Sequence, residues 1–178
     1  MKILRTLLII ILAFILLFLV VALFLPSSYT LERTIEIKQP MEIVYNAVLD
    51  YNLRLQWDPW LAKDLTATTS IIGGDSTGVG AQWSWDGEIV GAGFERVEEV
   101  VPFESIDAIL QFTRPQEMAS DINWDFEPIS EGTKVTWTIS GKLRYPIERY
   151  IGLMMDRFLG KDFEHGLESL KVLLETAE

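Results

Sequence analysis

The pattern of apolar and polar residues changes character three times along the chain. From Leu7 to Leu25 there is no alternation, and 19 consecutive residues are apolar. As a helix this run would span about 28 Å, close to the hydrocarbon thickness of a bilayer. A core helix apolar on every side would need a much larger protein around it. The run ends Val-Ala-Leu-Phe-Leu-Pro, with large residues where a signal peptidase needs small ones. The expectation for residues 1–25 is therefore an uncleaved transmembrane anchor rather than a secretory signal. Lys2 and Arg5 precede the run, and this short basic tail predicts a single-pass protein of the cell membrane with its remaining residues on the extracytoplasmic side.

Residues 26–30 read as a linker and 31–178 as one domain. Leu31 to Lys38 puts Leu31, Arg33, Ile35 and Ile37 on one side of a strand. Pro40 opens a helix whose Ile43, Val44, Ala47 and Val48 recur at helical spacing, and a second short helix is expected over Asn52–Trp57. The rhythm then becomes period two. Strands are predicted over Thr66–Ile72, over Val79–Asp86 and, after an Asp86-Gly87 turn, over Glu88–Val101, with a bend or bulge at Gly91 and Gly93. Ile106, Ala108, Leu110 and Phe112 share a face, as do Ile122, Trp124 and Phe126, and then Val135, Trp137 and Ile139. Finally the period returns to 3.6. A long helix is expected from Pro146 to Glu175, with a stripe of Ile151, Met155, Phe158, Leu159, Phe163, Gly166, Leu170 and Leu173. The order predicts an α+β domain. A curved antiparallel sheet of about seven strands would wrap a long C-terminal helix, preceded by one transmembrane helix.

Charge and composition exclude several functions. The net charge is −11, and since the first 25 residues contribute +2, the rest carries −13. Such an acidic domain lacks the clustered Lys and Arg that phosphates need, so no nucleic-acid partner is expected. There is no cysteine and only one histidine, His165. Thiolate chemistry, disulfides and multi-histidine zinc sites are excluded, and no metal or other cofactor is expected.

Several segments carry a resemblance. Pro40-Met-Glu-Ile-Val-Tyr45 follows an extended strand, and Trp57-Asp-Pro-Trp60 comes next. Gly78-Val-Gly-Ala81, Val101-Pro-Phe-Glu104, Gly132-Thr-Lys-Val-Thr-Trp137 and Gly166-Leu-Glu-Ser-Leu-Lys171 follow in order. From Leu31 to Glu175 the chain resembles the polyketide cyclase/dehydrase-like proteins of the START/Bet v 1 (SRPBCC) superfamily. The resemblance implies the helix-grip fold and a cavity between sheet and long helix, commonly used for lipids, sterols or polyketides. It implies little about chemistry, because the superfamily includes carriers, sensors, cyclases and hydrolases.

Four of the six tryptophans, Trp83, Trp85, Trp124 and Trp137, fall on apolar strand faces aimed at the long helix. Phe94, Phe112, Met154, Met155 and Phe158 are expected to join them around an apolar ligand, since flat rings and thioethers suit such a cavity. Plain core packing is the competing reading for each. Trp57 and Trp60 are expected to close one end of the domain. Asp162 falls within the apolar stripe, and a buried carboxylate needs a partner, for which Arg33 or Arg96 is available. With His165 three residues on, it is the candidate for acid/base catalysis, against a structural ion pair and a surface histidine. Gly73-Gly74-Asp-Ser-Thr-Gly78 lacks the lysine of a phosphate loop and reads as a turn. Three functions remain open: a membrane-anchored module binding an apolar small molecule or lipid, a cyclase- or hydrolase-type enzyme acting on such a ligand, and a protein-interaction scaffold with a filled core and an exposed apolar patch near Leu143–Ile147.

Overall fold

The structure is a computed structural model that describes residues 2–72 and 75–176. Helix α1 (Lys2–Phe24) leads into seven strands: β1 (Ser28–Ile37), β2 (Thr68–Ile72), β3 (Gln82–Asp86), β4 (Ala92–Val101), β5 (Ser105–Arg114), β6 (Met118–Ile129) and β7 (Gly132–Lys142). Helices α2 (Met41–Leu49) and α3 (Tyr51–Arg54) sit between β1 and β2, and α4 (Ile147–Gly152) and α5 (Met155–Glu175) close the chain. The strands form one antiparallel sheet in the order β1-β7-β6-β5-β4-β3-β2. After α2 and α3 the chain enters at the far edge and returns strand by strand to β1. Short hairpins suffice for that path, which is why the turn signals were readable.

The strand parities hold. Ile106, Ala108, Ile122, Trp124, Phe126, Val135, Trp137 and Ile139 are all buried, and α5 lays Phe163, Leu167 and Leu170 over them. Trp124 and Trp137 face each other across β6 and β7 and stack at 4.4 Å. Phe163 stacks on the other side of Trp137 at 4.0 Å. Gly166 lets α5 approach this close: a Cβ there would lie 3.0 Å from the Trp137 ring and 3.1 Å from Pro59.

Several boundaries differ from expectation, among them the starts of β2 at Thr68 and of β3 at Gln82. β1 begins at Ser28, pairing with Lys142, so the strand absorbs three of the five residues of the predicted linker. α3 ends at Arg54, and turns carry the chain on to Trp57. β4 begins at Ala92 because residues 87–91 form the hairpin loop, closed by Gly87 N–H donating to the Gly91 carbonyl. The expected bulge is present as a register shift at Ala92/Gly93. There a Cβ on Gly93 would collide with the Trp85 ring and the Gln111 carbonyl, so glycine leaves room for the tryptophan. The long C-terminal helix is broken at Leu153–Met154 into α4 and α5. Gly73 and Gly74 lie outside the described residues; Ser76, in the same loop, accepts a hydrogen bond from Tyr51 N–H.

Helix α1 is long and apolar enough to cross a membrane, and its length and position near the N-terminus equally fit a signal sequence.

Candidate functional site: an apolar cavity with a buried charge cluster

A cavity of about 150 Å³ lies between the sheet and α5. The strands supply its walls because their inward positions carry large apolar side chains: Trp83 and Trp85 from β3, Leu110 and Phe112 from β5, Ile122 from β6, Trp137 and Ile139 from β7. Met155, Leu159 and Phe163, at helical spacing on α5, close the opposite side. Trp85 meets Phe112 edge to face at 5.5 Å and Trp83 at 5.0 Å, so one end of the cavity is a ring of aromatics.

One wall is charged. Arg54 is 1% exposed, and its Nε donates to Asp58 Oδ2 at 3.3 Å while Nη2 lies 3.8 Å from Glu95 Oε2. The guanidinium is also packed on tryptophan faces, 4.4 Å from the Trp57 centroid, 4.7 Å from Trp137 and 5.3 Å from Trp124. Cation–π attraction strengthens where water is excluded, as it is here. Asp58 is held by its own loop: Oδ1 accepts the N–H groups of Trp60 and Leu61, each at 3.0 Å. That turn also presents Trp60 to the cavity.

Glu95 is 3% exposed. Burial holds its carboxyl above the ordinary carboxylate range, Arg54 pulls it down and Asp58 pushes it up. Burial likewise raises the Tyr51 hydroxyl, with the neighbouring Glu95 adding to the rise. Tyr51 Oη lies near Glu95 without closing a hydrogen bond of ordinary geometry. Arg54 Nη1 and the indole N–H groups of Trp83 and Trp137 are also buried without an acceptor.

The structure sorts the expected ligand contacts into three groups. Trp83, Trp85, Phe112, Trp137 and Met155 line the cavity. Trp124 is packed behind it, between Trp57 and Trp137. Phe94, Met154 and Phe158 lie elsewhere. Phe94 alternates with the inward Gly93 and Glu95 and so points to the outer face, where Arg96 covers its ring. Met154 and Phe158 are 41% and 52% exposed, because the break before α5 rotates the buried stripe onto Met155, Leu159 and Phe163. Trp57 is buried in the core and Trp60 lines the cavity.

Neither catalytic candidate lines the cavity. Asp162 sits at the edge of the α5 stripe and pairs with Lys63, not with Arg33 or Arg96. Arg33 instead reaches Asp156 and Glu164, and Arg96 reaches Glu98. His165 is exposed. No cluster of three or more His, Asp or Glu side chains suited to a metal occurs among the described residues.

With this geometry established, comparisons place the chain among known proteins. Residues 28–175 match the family described as polyketide cyclase / dehydrase and lipid transport. No curated protein matches. Solved structures are similar in fold at low identity. Protein MLL2253 of Mesorhizobium loti aligns with a TM-score of 0.61 at 16% identity, covering 84% of this chain and 98% of that one. Protein CV1439 of Chromobacterium violaceum gives 0.60 at 20% identity, over 84% and 98%. The Aha1 protein of Colwellia psychrerythraea, solved as a dimer, gives 0.59 at 20% identity, over 82% and 96%.

Proposed function

From the premise that this chain belongs to the polyketide cyclase / dehydrase and lipid transport family, we propose that it is a membrane-anchored module that binds a small apolar molecule between sheet and α5. The observation that carries this reading is the unfilled aromatic cavity. Its size, about 150 Å³, matches cavities that admit a benzene-sized guest and falls below the roughly 300–1,000 Å³ of drug-sized sites. The ligand is accordingly one ring, or one end of a longer apolar chain, seated against Trp83, Trp85 and Phe112. Sterol-sized guests would require α5 to move. Helix α1 serves as the anchor, and tethering to a bilayer raises the concentration of a membrane-dissolved ligand around the domain.

The test is mass spectrometry of organic extracts from the purified full-length chain, beside an empty-membrane control and a Trp85→Ala variant. Enrichment of one apolar molecule, lost in the variant, is expected. Bulk membrane lipid alone, equal in all three samples, would sink the reading.

A second reading, proton transfer on such a ligand, is favoured by one observation: Glu95 is a carboxyl on the cavity wall, held above the ordinary carboxylate range by burial. Glu95 thus replaces Asp162 and His165 as the acid/base candidate. Turnover that vanishes in Glu95→Gln while the thermal midpoint persists would establish it; turnover unchanged in that variant would remove Glu95 from the chemistry.

A further inference from the structure

The domain as a whole is acidic, yet one stretch is not. From Lys142 to Lys161 there are five basic residues, Lys142, Arg144, Arg149, Arg157 and Lys161, against Glu148 and Asp156, a net +3 in a domain of −13. The same stretch exposes apolar side chains. Ile147 is 63% exposed, Ile151 43%, Leu153 62%, Met154 41% and Phe158 52%. Ile147 and Ile151 lie one turn apart on α4, Met154 and Phe158 one turn apart where α5 begins, and their exposure marks an unmet partner.

Helix α4 is fastened to the last turns of α1. Tyr150 Oη donates to the Phe18 carbonyl at 2.7 Å, and the two rings stack at 4.4 Å. Tyr145 Oη donates to the Leu19 carbonyl, and Arg149 Nη1 to those of Ala22 and Leu23. The last two carbonyls belong to the negative end of the helix dipole, where a guanidinium is favoured. Ala22 is the one buried residue of α1. Phe18 precedes the end of α1 at Phe24 by six residues, about 9 Å along the axis. The apolar run is only as long as a bilayer core is thick, so these last turns have no slack to leave the lipid. Whatever is stacked on Phe18 must enter the membrane boundary with it. Interfacial segments sink about 5–10 Å, flanked by aromatic and basic residues of this kind.

We propose that α4 and the α4–α5 junction are seated in the bilayer interface, with Ile147, Ile151, Leu153, Met154 and Phe158 in the acyl boundary and the exposed Lys142, Arg144, Arg157 and Lys161 among anionic headgroups. The proposal rests on α1 being a membrane span. Its consequence for binding is direct. Met155 and Leu159, on the cavity wall, each follow a lipid-facing residue by one position, so the helical wall of the cavity adjoins the bilayer from which an apolar ligand would come.

The chain has no cysteine, so single reporters can be introduced cleanly. Leu12→Cys, Ile151→Cys, Met154→Cys and Glu127→Cys would each carry an environment-sensitive fluorophore. The full chain would be reconstituted in phosphatidylcholine/phosphatidylglycerol vesicles with and without nitroxide-labelled lipid. Glu127 lies toward the end of the sheet opposite Ser28 and α1, since it pairs with Lys134 while Ser28 pairs with Lys142. The expected result is loss of emission at positions 12, 151 and 154 and none at 127. Loss at 12 with none at 151 and 154 would leave the span standing and overturn the interfacial seat, as would a protein partner covering this face. Loss at 127 as well would overturn it in favour of general adsorption. No loss at 12 would remove the span, and the proposal with it.

Discussion

Replacing Arg54 with methionine is expected to destabilise the domain more than any surface change. The guanidinium is 1% exposed, and it is the cation facing two carboxylates whose side chains are 1% and 5% exposed. Removing one partner of such a buried pair costs about 3–5 kcal/mol, because the remaining charge has neither water nor a counter-ion. Methionine keeps much of the apolar volume between Trp57 and Trp137, so the loss reports on charge rather than on a void. For a chain of this size that loss lowers the thermal midpoint by about 6–20 °C. The assay is thermal unfolding of the full-length protein in mild detergent, followed by tryptophan fluorescence, at about pH 5 and about pH 8. The two pH values separate mechanisms. Glu95 has a folded-state pKa above its unfolded value, and losing Arg54 raises it further. A group shifted upward stabilises fully below its unfolded pKa, and that contribution is lost as pH rises through the folded value. The deficit of Arg54→Met should therefore be larger at the higher pH, and adding Glu95→Gln should recover part of it. A midpoint within about 2 °C of the parent at both pH values would refute the buried cluster.

Four further outcomes follow from the same geometry. By the same linkage, the parent should lose stability relative to Glu95→Gln as pH rises above the ordinary carboxylate range, read as the difference between their thermal midpoints; a constant difference would deny the raised pKa. Gly166→Ala should cost about 1–3 kcal/mol despite alanine's better helix propensity, because Trp137 is clamped between Trp124 and Phe163 and has nowhere to shift; chemical denaturation checks it, and a stabilised variant would contradict it. Asp162→Asn should change stability by no more than about 1 kcal/mol, since Lys63 in that pair is half exposed. Trp85→Ala should abolish uptake of an apolar guest and Phe94→Ala should not, as measured by extraction, because only the first ring borders the cavity.

The strands and both helical layers were legible because each follows a single period, and the inward tryptophans of β3, β6 and β7 mark their own face. What period alone could not supply was phase. The register shift at Ala92/Gly93 sets β4 so that Glu95 points in and Phe94 out, and a two-residue alternation interrupted by glycines does not announce which side wins. At the C-terminus, residues 147–152 continue the helical spacing of α5 but belong to a separate helix packed on α1, so their apolar residues face outward. The Arg54–Asp58–Glu95 cluster was missed for a different reason. Charged residues are read as surface, and its members lie on separate elements. One signal was available: Arg54 and Asp58 stand four apart in a tryptophan-rich segment, where a guanidinium can stack and pair at once.

The central claim is that the space between sheet and α5 takes up a small apolar guest. Titrating the full-length chain in phosphatidylcholine nanodiscs with toluene, read by tryptophan fluorescence, tests it most directly, with Leu110→Phe as the variant whose larger ring occupies that space. The account predicts a response that saturates at one toluene per chain and is strongly weakened in Leu110→Phe while the thermal midpoint is kept. A response that never saturates, or is the same in both proteins, would contradict it.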